Sequence, residues 1–194
     1  MPTKTTAKIP AKSTEKKASA VIGPDAIKLL SDDHKEVKKM FAEFKKMADS
    51  DDTDAKEALV AQICADLTVH TAVEEEIFYP AAREAINDGA LLDEAEVEHA
   101  SAKDLIAQLK AMSSSDDLYD AKVTVLGEYI EHHIKEEETE MFTKVKKAKL
   151  DLQQLGQEMG MRKEELKASM PELEKLMANP RMGGGENASK ATQH

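Results

Sequence analysis

The chain of 194 residues contains no tryptophan, a single cysteine, and few glycines, prolines or aromatic residues. One cysteine excludes an intrachain disulfide framework, which fits a reducing compartment. Because Cys64 falls inside a helical pattern, we expect a small buried apolar residue there and not a reactive thiol. Scarce helix breakers together with abundant Ala, Glu, Lys, Leu and Met are typical of an all-helical protein.

Long apolar runs are also missing. No uncharged stretch approaches the ~20 apolar residues that a membrane span requires, and the apolar piece at residues 18–23 is too short for the core of a signal peptide. The formal net charge is -11 at pH 7. Since binding a phosphate backbone needs clustered cations, this charge argues against a nucleic-acid partner. We therefore expect a cytoplasmic protein without a membrane or nucleic-acid partner.

The sequence divides into a helical body and two tails. Residues 1–22 carry lysines among Thr, Ala and Ser with almost nothing to bury, which predicts a disordered, lysine-rich tail. The body is predicted to comprise a bundle at residues 23–148 and a C-terminal helical extension at residues 149–180. Residues 181–194 contain a run of glycines among polar residues, so a second flexible tail is predicted there.

Apolar residues in the body recur with a helical period of about 3.6 residues, in four blocks joined by short polar connections. The predicted inward stripes are Ile27, Leu30, His34, Val37, Phe41 and Phe44; Val60, Ile63, Leu67, His70, Glu74, Ile77 and Ala81; Leu92, Ala95, His99, Ala102, Ile106 and Leu109; and Val123, Leu126, Ile130, His133, Glu137 and Met141. Short connections favour antiparallel neighbours, so we predict an all-α, up-down-up-down four-helix bundle. A fifth amphipathic segment, residues 151–178, is expected to pack outside the bundle or across one end, where it offers a surface for a second copy or another protein.

The four blocks form two copies of one pattern. A shift of sixty-three positions lays block two on block four, and blocks one and three match as well. The matched residues are His70 with His133, Glu74 with Glu137, and the pair Asp33-His34 with Glu98-His99. Such a repeat predicts a pseudo-twofold bundle of two helical hairpins.

Every block carries a histidine within its apolar stripe. In blocks two and four a glutamate follows four residues later, which leaves the two side chains about 40° apart around the helix. Burying one unpaired polar side chain costs several kcal/mol, and burying a set of six is a severe cost without a cation to offset the repulsion of the two glutamates. We therefore favour a metal site over hydrogen-bonded core histidines. The predicted ligands are His34, His70, Glu74, His99, His133 and Glu137.

The type and number of these ligands bear on the metal. Imidazole nitrogens and carboxylate oxygens without a thiolate suit iron, manganese or zinc, and they argue against copper(I) and iron–sulfur clusters. Six ligands exceed the four of a tetrahedral zinc site, so two ions are implied. If both glutamates bridge, each ion keeps positions for a small exogenous ligand.

Two alternatives concern individual residues. His132 precedes a glutamate by the same four residues as His133 does. The repeat and the apolar phase both select His133, so His132 is expected either to flank the site or to support a ligand from outside. A ferritin-like carboxylate site needs two Glu-x-x-His pairs, but only Glu96 with His99 shows that spacing.

Within residues 70–80, HTAVEEEIFYP, the helical period assigns the side chains to different faces of the helix. Only the first of the three glutamates shares the face of the histidine, whereas the next two diverge toward the flanks or the solvent. Ile77 is expected to resume the apolar stripe, with Phe78 and Tyr79 beside it. Because Pro80 lacks an N–H group, a kink of the helix is predicted there.

The pattern resembles the hemerythrin-like HHE cation-binding family over about residues 24–148. The residues that carry the resemblance are Asp33-His34, His70-x-x-x-Glu74-Glu75 followed by Phe78-Tyr79-Pro80, Glu98-His99, and His133-x-x-x-Glu137-Glu138 followed by Met141-Phe142. The resemblance implies a non-haem di-iron centre, with two iron ions joined by an oxo or hydroxo bridge. It also implies that the four histidines are terminal ligands and that the two glutamates bridge the ions.

Two features depart from the oxygen-carrying hemerythrins. Those proteins have a further histidine one turn beyond the third-helix ligand, where this sequence has Lys103, and a last pair His-x4-Asp, where this one has His133-x3-Glu137. A missing imidazole opens a coordination position, which favours reaction with oxygen, peroxide or nitric oxide over reversible oxygen carriage. Family members proposed to repair iron–sulfur centres share the ligand set, but they commonly carry an N-terminal domain with paired cysteines, where this chain has its lysine-rich tail.

Three functions follow as hypotheses. The first is a di-iron protein that binds or reacts with a small oxygen or nitrogen species in sensing, storage or stress defence. The second is an iron donor or repair partner for damaged iron centres in other proteins. The third is a structural bundle whose core histidines are hydrogen-bonded and hold no metal.

Overall fold

The computed structural model describes residues 23–47 and 52–178, and the predicted tails at 1–22 and 181–194 lie outside these residues. The described chain is all-α, as predicted, and contains no strand. Its elements are α1 (Ala26–Lys46), α2 (Thr53–Val73), the π-helical turn π1 (Glu74–Phe78), α3 (Tyr79–Ala85), α4 (Gly89–Lys110), α5 (Tyr119–Glu136), the π-helical turn π2 (Glu137–Met141), α6 (Phe142–Lys147) and α7 (Leu152–Ala178). None of these described helices combines the length and the apolar content that crossing a membrane requires.

Four rods form the bundle. Two are the single helices α1 and α4, and two are composite, α2–π1–α3 and α5–π2–α6. α1 packs on α2, α2 on α4, α4 on α5, and α5 on α1, so the rods close a ring around a common core. The predicted four-helix bundle with an additional C-terminal helix is thereby confirmed.

Aspartates begin three of the four rods. Asp25, Asp52 and Asp88 each accept a hydrogen bond from a backbone N–H three residues further on, at 2.8, 3.1 and 3.4 Å. A carboxylate in this position satisfies a free N–H group and faces the positive end of the helix dipole. The polar connections thus fix where these rods begin.

A layer of polar residues divides the core along the bundle axis. One apolar cluster includes Leu30 and Phe78, and the other includes Val37 and Leu126. His34 stands on α1 between a residue of the first cluster and a residue of the second. The two clusters therefore enclose the polar layer from both ends.

The inward face of the second rod differs from the expectation beyond Glu74. Ile77 is only partly buried, whereas Phe78 and Tyr79, which the helical period places beside the stripe, are 0% and 2% exposed. The cause is π1, in which the N–H of Tyr79 bonds to the carbonyl of Glu74 five residues back. This turn contains one residue more than an α-helical turn, which rotates the following stripe by about 100°.

Pro80 is not the cause of this irregularity. The turn π2 occurs at the matching place in the second repeat, where Thr143 stands in the position of Pro80. Each π-helical turn begins at a glutamate of the polar layer. Such turns within α-helices are frequent at functional sites, so the break in the helix belongs to the polar layer and not to the proline.

Helix α7 lies outside the bundle, on α1, α2 and π1, which is one of the two placements predicted. Its residues Leu155 and Met159 are buried against this first hairpin. Gly156 brings the backbone of α7 close to the start of α1, because an added Cβ would lie 2.6 Å from the nitrogen of Ala26. The close approach therefore requires a residue without a side chain.

Candidate metal centre

The polar layer brings together all six residues that the sequence singles out. They are His34 from α1, His70 and Glu74 from the second rod, His99 from α4, and His133 and Glu137 from the fourth rod. None of the six is more than 8% exposed. Their convergence in one buried layer is observed, while their role as metal ligands stays a prediction.

One half of the layer contains the histidines of the first hairpin. Glu74 Oε1 lies 3.2 Å from His70 Nε2. Glu137 Oε2 lies 3.3 Å from His34 Nε2. Each of these four residues offers one atom to a group in which all atoms lie within 4.8 Å of one another. That spacing suits donors around a single ion.

The other half contains the histidines of the second hairpin. The Nε2 atoms of His99 and His133 lie 3.1 Å apart. Glu74 Oε2 lies 3.4 Å from His99 Nε2, and these three residues form a second group within the same 4.8 Å limit. Glu74 therefore turns one oxygen toward each half, which is the arrangement of a bridging carboxylate.

Glu137 reaches both halves through a single oxygen. Its Oε2 lies 3.3 Å from His34 Nε2 and 3.7 Å from His133 Nε2. Its Oε1 accepts a hydrogen bond of 3.1 Å from the hydroxyl of Tyr79. Since one oxygen is engaged by the phenol, Glu137 presents fewer free lone pairs to the centre than Glu74 does.

Tyr79 breaks the twofold symmetry of the layer. Its ring stacks on His99 at a centroid distance of 5.3 Å, and its hydroxyl lies 3.2 Å from His99 Nε2. The matching residue of the repeat, Phe142, stacks on His34 at 5.9 Å and has no hydroxyl. Burial and the nearby glutamates raise the pKa of Tyr79 well above its usual value, so the phenol keeps its proton and acts as a donor.

A carboxylate contacts the Nδ1 atom of each histidine in the layer. The contacts are Glu138 with His34 at 3.0 Å, Asp33 with His70 at 3.5 Å, Glu75 with His99 at 3.0 Å, and Glu98 with His133 at 2.8 Å. The repeat relates the first contact to the third and the second to the fourth. Three of these contacts are hydrogen bonds, whereas Asp33 and His70 form an ion pair without one. Carboxylates in this position orient a histidine and leave its Nε2 for a metal ion.

Each of these carboxylates also meets a basic side chain on its outer side. Lys103 binds Glu75 at 2.6 Å, Lys38 lies 3.6 Å from Glu138, Lys163 binds Asp33, and His132 lies 3.5 Å from Glu98. Lys103, which stands where oxygen carriers have a further histidine, thus acts on the layer through a carboxylate. Lys163 comes from α7 and takes the place that His132 has in the other half.

His132 lies outside the buried layer, in agreement with the phase of its helix. Its side chain is 59% exposed, and its Nε2 lies 3.5 Å from Glu98 and 3.3 Å from Glu136. These residues form a third group of possible ligands, but none of the three is buried. Since Glu98 also holds His133, we interpret His132 as a support for that carboxylate.

The charges of the layer depend on one another. Burial lowers the pKa of His70, but Glu74 and Asp33 overcome this effect and raise it to about 10. Burial raises the pKa of Glu74, yet His70 and His99 hold it well below its usual range. A proton on His70 therefore offsets the buried negative charge of Glu74.

Several buried atoms of the layer lack a hydrogen-bond partner within the described chain. They are both oxygens of Glu74, Oε2 of Glu137, Nε2 of His34 and Nδ1 of His70. A buried polar atom without a partner costs about 1–3 kcal/mol, and four of these five atoms face the two ligand groups. Imidazole nitrogens and carboxylate oxygens suit divalent iron, manganese or zinc. The residues present therefore fit a bound cation.

A cavity borders the layer and is lined in part by residues of α1 and α7. It is lined by the four histidines of the layer, by apolar residues that include Val37 and Ile130, and by Lys163 and Lys167 of α7. It offers ≈ 30 Å³ for the centres of water-sized molecules, where a single water needs about 10–15 Å³. The space is therefore suited to a ligand of very few atoms.

Fold and site together define a helical bundle with a buried layer of histidines and glutamates that fits a cation. Residues 25–145 match the family model of the hemerythrin HHE cation binding domain. The chain belongs to this family, which confirms the resemblance found in its sequence. It is therefore a metal-binding protein of the hemerythrin type.

Two known proteins are similar to this chain. The crystal structure of a hemerythrin HHE cation binding domain-containing protein from Mycobacterium kansasii matches with a TM-score of 0.67 at 24% identity, over 82% of this chain and 96% of that one. This likeness shows the fold. A protein of Nostoc sp. (strain PCC 7120 / SAG 25.82 / UTEX 2576) named DNA nickase is 31% identical over 114 residues, which are 59% of this chain and 31% of the relative. The chain thus spans less than a third of that relative.

The helical pattern did not indicate several contacts around the six central residues. Asp33 and Glu98 recur before a histidine in the repeat, which is a signal for a role, but each holds the histidine of a neighbouring rod. Lys163 has no counterpart in the repeat, so no pattern marks it. Tyr79 is missed because a helical period of 3.6 residues does not anticipate the π-helical turn.

Proposed function

We propose that the protein holds a non-haem di-iron centre that binds or reacts with a small oxygen or nitrogen species, such as O2, peroxide or NO, in sensing, storage or stress defence. The observation that carries this proposal is the division of the buried layer into two ligand groups that share Glu74. Two groups with a common carboxylate fit a pair of ions better than a single ion. Of the metals that suit the donors, iron is the one that the family resemblance implies.

The side chains around the centre would orient the ligands, exclude water and hold a proton. Bound iron would supply redox chemistry and open positions for a small molecule. The carboxylates at Nδ1 keep the rings turned inward, and the apolar clusters on both sides limit the access of water. Tyr79 holds a protonated hydroxyl beside Glu137 and His99, where it can donate a hydrogen bond.

Metal analysis and optical spectroscopy test this proposal. Protein produced with ample iron should contain about two irons per chain, because each ligand group holds one ion. Its visible spectrum should change on exposure to O2, peroxide or NO. Protein that remains free of iron under these conditions would contradict the proposal, as would a spectrum that responds to none of the three.

An iron-transfer assay separates this function from the alternative of an iron donor or repair partner. The loaded protein is mixed with an apo iron–sulfur protein, and the appearance of the cluster is compared with the loss of iron to a chelator. Transfer faster than chelation would favour the donor role. A spectrum that responds to small ligands without transfer would favour the first.

Partners and location remain proposals as well. We expect a cytoplasmic protein whose partner is a diatomic molecule or peroxide, with α7 as the surface for a second copy or another protein. The activity named for the Nostoc relative belongs to a protein of which this chain covers 31%. The net charge of -11 continues to argue against a nucleic-acid partner.

A further inference from the structure

Lys163 connects α7 with the metal centre through a short series of contacts. Its ammonium group binds Asp33 Oδ1. The other oxygen of Asp33 lies 3.5 Å from His70 Nδ1. The opposite nitrogen of the ring, Nε2, lies 3.2 Å from Glu74 Oε1. The contacts therefore run from α7 to the glutamate that both ligand groups share.

The second hairpin of the repeat allows these contacts to be compared with their counterparts. In the second hairpin the corresponding carboxylate is Glu98, and its outer contact is His132, which belongs to the same hairpin. The residue of the first hairpin that matches His132 is Val69, which is apolar and 2% exposed. In the described chain, the basic side chains that meet Asp33 are His70 and Lys163. The first hairpin thus takes from α7 the contact that the second hairpin supplies itself.

The environment of this ion pair is more sheltered than that of its neighbour on α7. The side chains of Lys163 and Asp33 are 19% and 18% exposed. Arg162 is 36% exposed and binds Glu76 at 2.6 Å, and Glu76 is directed away from the polar layer at 45% exposure. Ion pairs that are partly shielded from water are screened less by salt, so the Lys163 contact holds its partner more firmly.

We infer that Lys163 is a positioning residue for the metal centre, and that α7 thereby contributes to metal binding. Lys163 holds Asp33 in the orientation that fixes the ring of His70, so that Nε2 faces the first ligand group. The inference rests on the proposed function only in requiring that the layer binds metal ions. It extends the site beyond the four rods that carry the ligands.

Substitution of two adjacent residues separates this role from simple docking of α7. Lys163→Met removes the outer contact of Asp33. Arg162→Met removes an ion pair between the same two parts of the chain, but this pair has no connection to a histidine. Lys163→Arg keeps a cation in place and serves as the rescue variant. All variants are made in the full-length chain.

The measurement is a Co²⁺ titration of the metal-free protein, followed by visible absorption, with thermal unfolding of the same metal-free samples. Lys163→Met should weaken the binding of one of the two ions by about 10-fold, the lower end of what loss of a supporting contact costs, and should alter its absorption. Arg162→Met should leave both affinities and the absorption unchanged, and Lys163→Arg should recover most of the loss. Thermal unfolding of the metal-free samples measures how far each lost ion pair loosens α7, and the loss of Co²⁺ affinity should not follow it from variant to variant.

Equal losses of Co²⁺ affinity in Lys163→Met and Arg162→Met would overturn the inference, because both would then act by loosening α7. An unchanged affinity in Lys163→Met would overturn it as well. Asp33→Asn, in which Lys163 is intact, should reproduce the loss and provides a second route if Lys163→Met does not fold. If the wild-type chain binds no Co²⁺, the proposed function fails; if it binds two ions, the variants decide on the inference alone.

Discussion

Glu74 is the residue that faces both halves of the polar layer. Its two oxygens face histidines of different hairpins, at 3.2 and 3.4 Å, and neither has a hydrogen-bond partner within the described chain. A histidine such as His34 belongs to only one of the two buried groups. Removal of the carboxylate should therefore affect both ligand groups, whereas removal of a single imidazole should affect one.

Glu74→Gln should weaken the binding of both ions, whereas His34→Gln should weaken the binding of one. A loss of at least about 10- to 100-fold is expected, because even supporting residues of metal sites contribute that much. Metal titration with measured stoichiometry checks the difference. Glu76→Gln is the matched control, since Glu76 contacts Arg162 and not the layer. A Glu74→Gln chain that binds two ions as tightly as the wild type would refute the bridging role.

Cys64 should be inert in the folded chain, as its helical context predicts. It is 1% exposed, and burial raises its pKa from 9.0 to about 11. At pH 8 the reactive thiolate is then about 100-fold scarcer than for an ordinary thiol. Iodoacetamide should modify the native protein slowly and the urea-unfolded protein rapidly. Equal rates in the two states would show that this part of the core opens readily.

At the level of the helices, Gly156 determines how α7 docks. A Cβ at this position would lie 2.6 Å from the backbone nitrogen of Ala26, which belongs to the start of α1. Gly160, one turn later on the same helix, has open space by comparison, with Leu29 at 3.8 Å from an added Cβ. The two glycines form a natural pair for testing the contact.

Gly156→Ala should push α7 away from α1 and reduce the free energy of unfolding by about 1–3 kcal/mol. Gly160→Ala should instead stabilise the chain by about 0.5–1 kcal/mol, because alanine favours the helix without a clash. Urea unfolding of both variants gives the comparison. Stabilisation by both substitutions would mean that α7 does not approach α1 as closely as described.

The helical period predicts the stripes of the straight helices and fails where the helix changes. Every predicted stripe residue of α1 and α4 is buried, because an unbroken α-helix keeps its phase. In the second rod the stripe is wrong beyond Glu74, since π1 inserts an additional residue per turn. The site depends on the correct part of the pattern, because His34 and His99 lie on unbroken helices and the other four central residues precede or begin the irregular turns.

Contacts between elements are harder to predict from the sequence. The stripe of α7 fits outer packing and end packing equally well, and the close approach at Gly156 is a tertiary contact without a periodic signal. The carboxylates also pair across rods, since Asp33 holds His70 and not the adjacent His34. Composition and helical phase predict which residues enter the layer. Which carboxylate contacts which histidine depends on how the rods pack side by side.

For the whole molecule, metal binding should contribute to stability. Ions that bind the folded chain alone stabilise it by about 2.7 kcal/mol when their free concentration is 100 times the dissociation constant. Treatment with a chelator should therefore lower the melting temperature of the loaded protein, as measured by calorimetry. The same treatment should have little effect on Glu74→Gln. A melting temperature that does not change with the chelator would favour the third hypothesis, a bundle with hydrogen-bonded core histidines.

Contacts between the two hairpins bear on how the metal-loaded chain unfolds. Glu75 of the first hairpin holds His99 of the second, and Glu138 of the second holds His34 of the first. Glu74 spans the same boundary. If ions in both groups join the hairpins as proposed, bonds to the metal must break before the hairpins separate, and the release of metal should limit the rate of unfolding. The lifetime of the folded, loaded chain would then be a property of coordination chemistry more than of its apolar core.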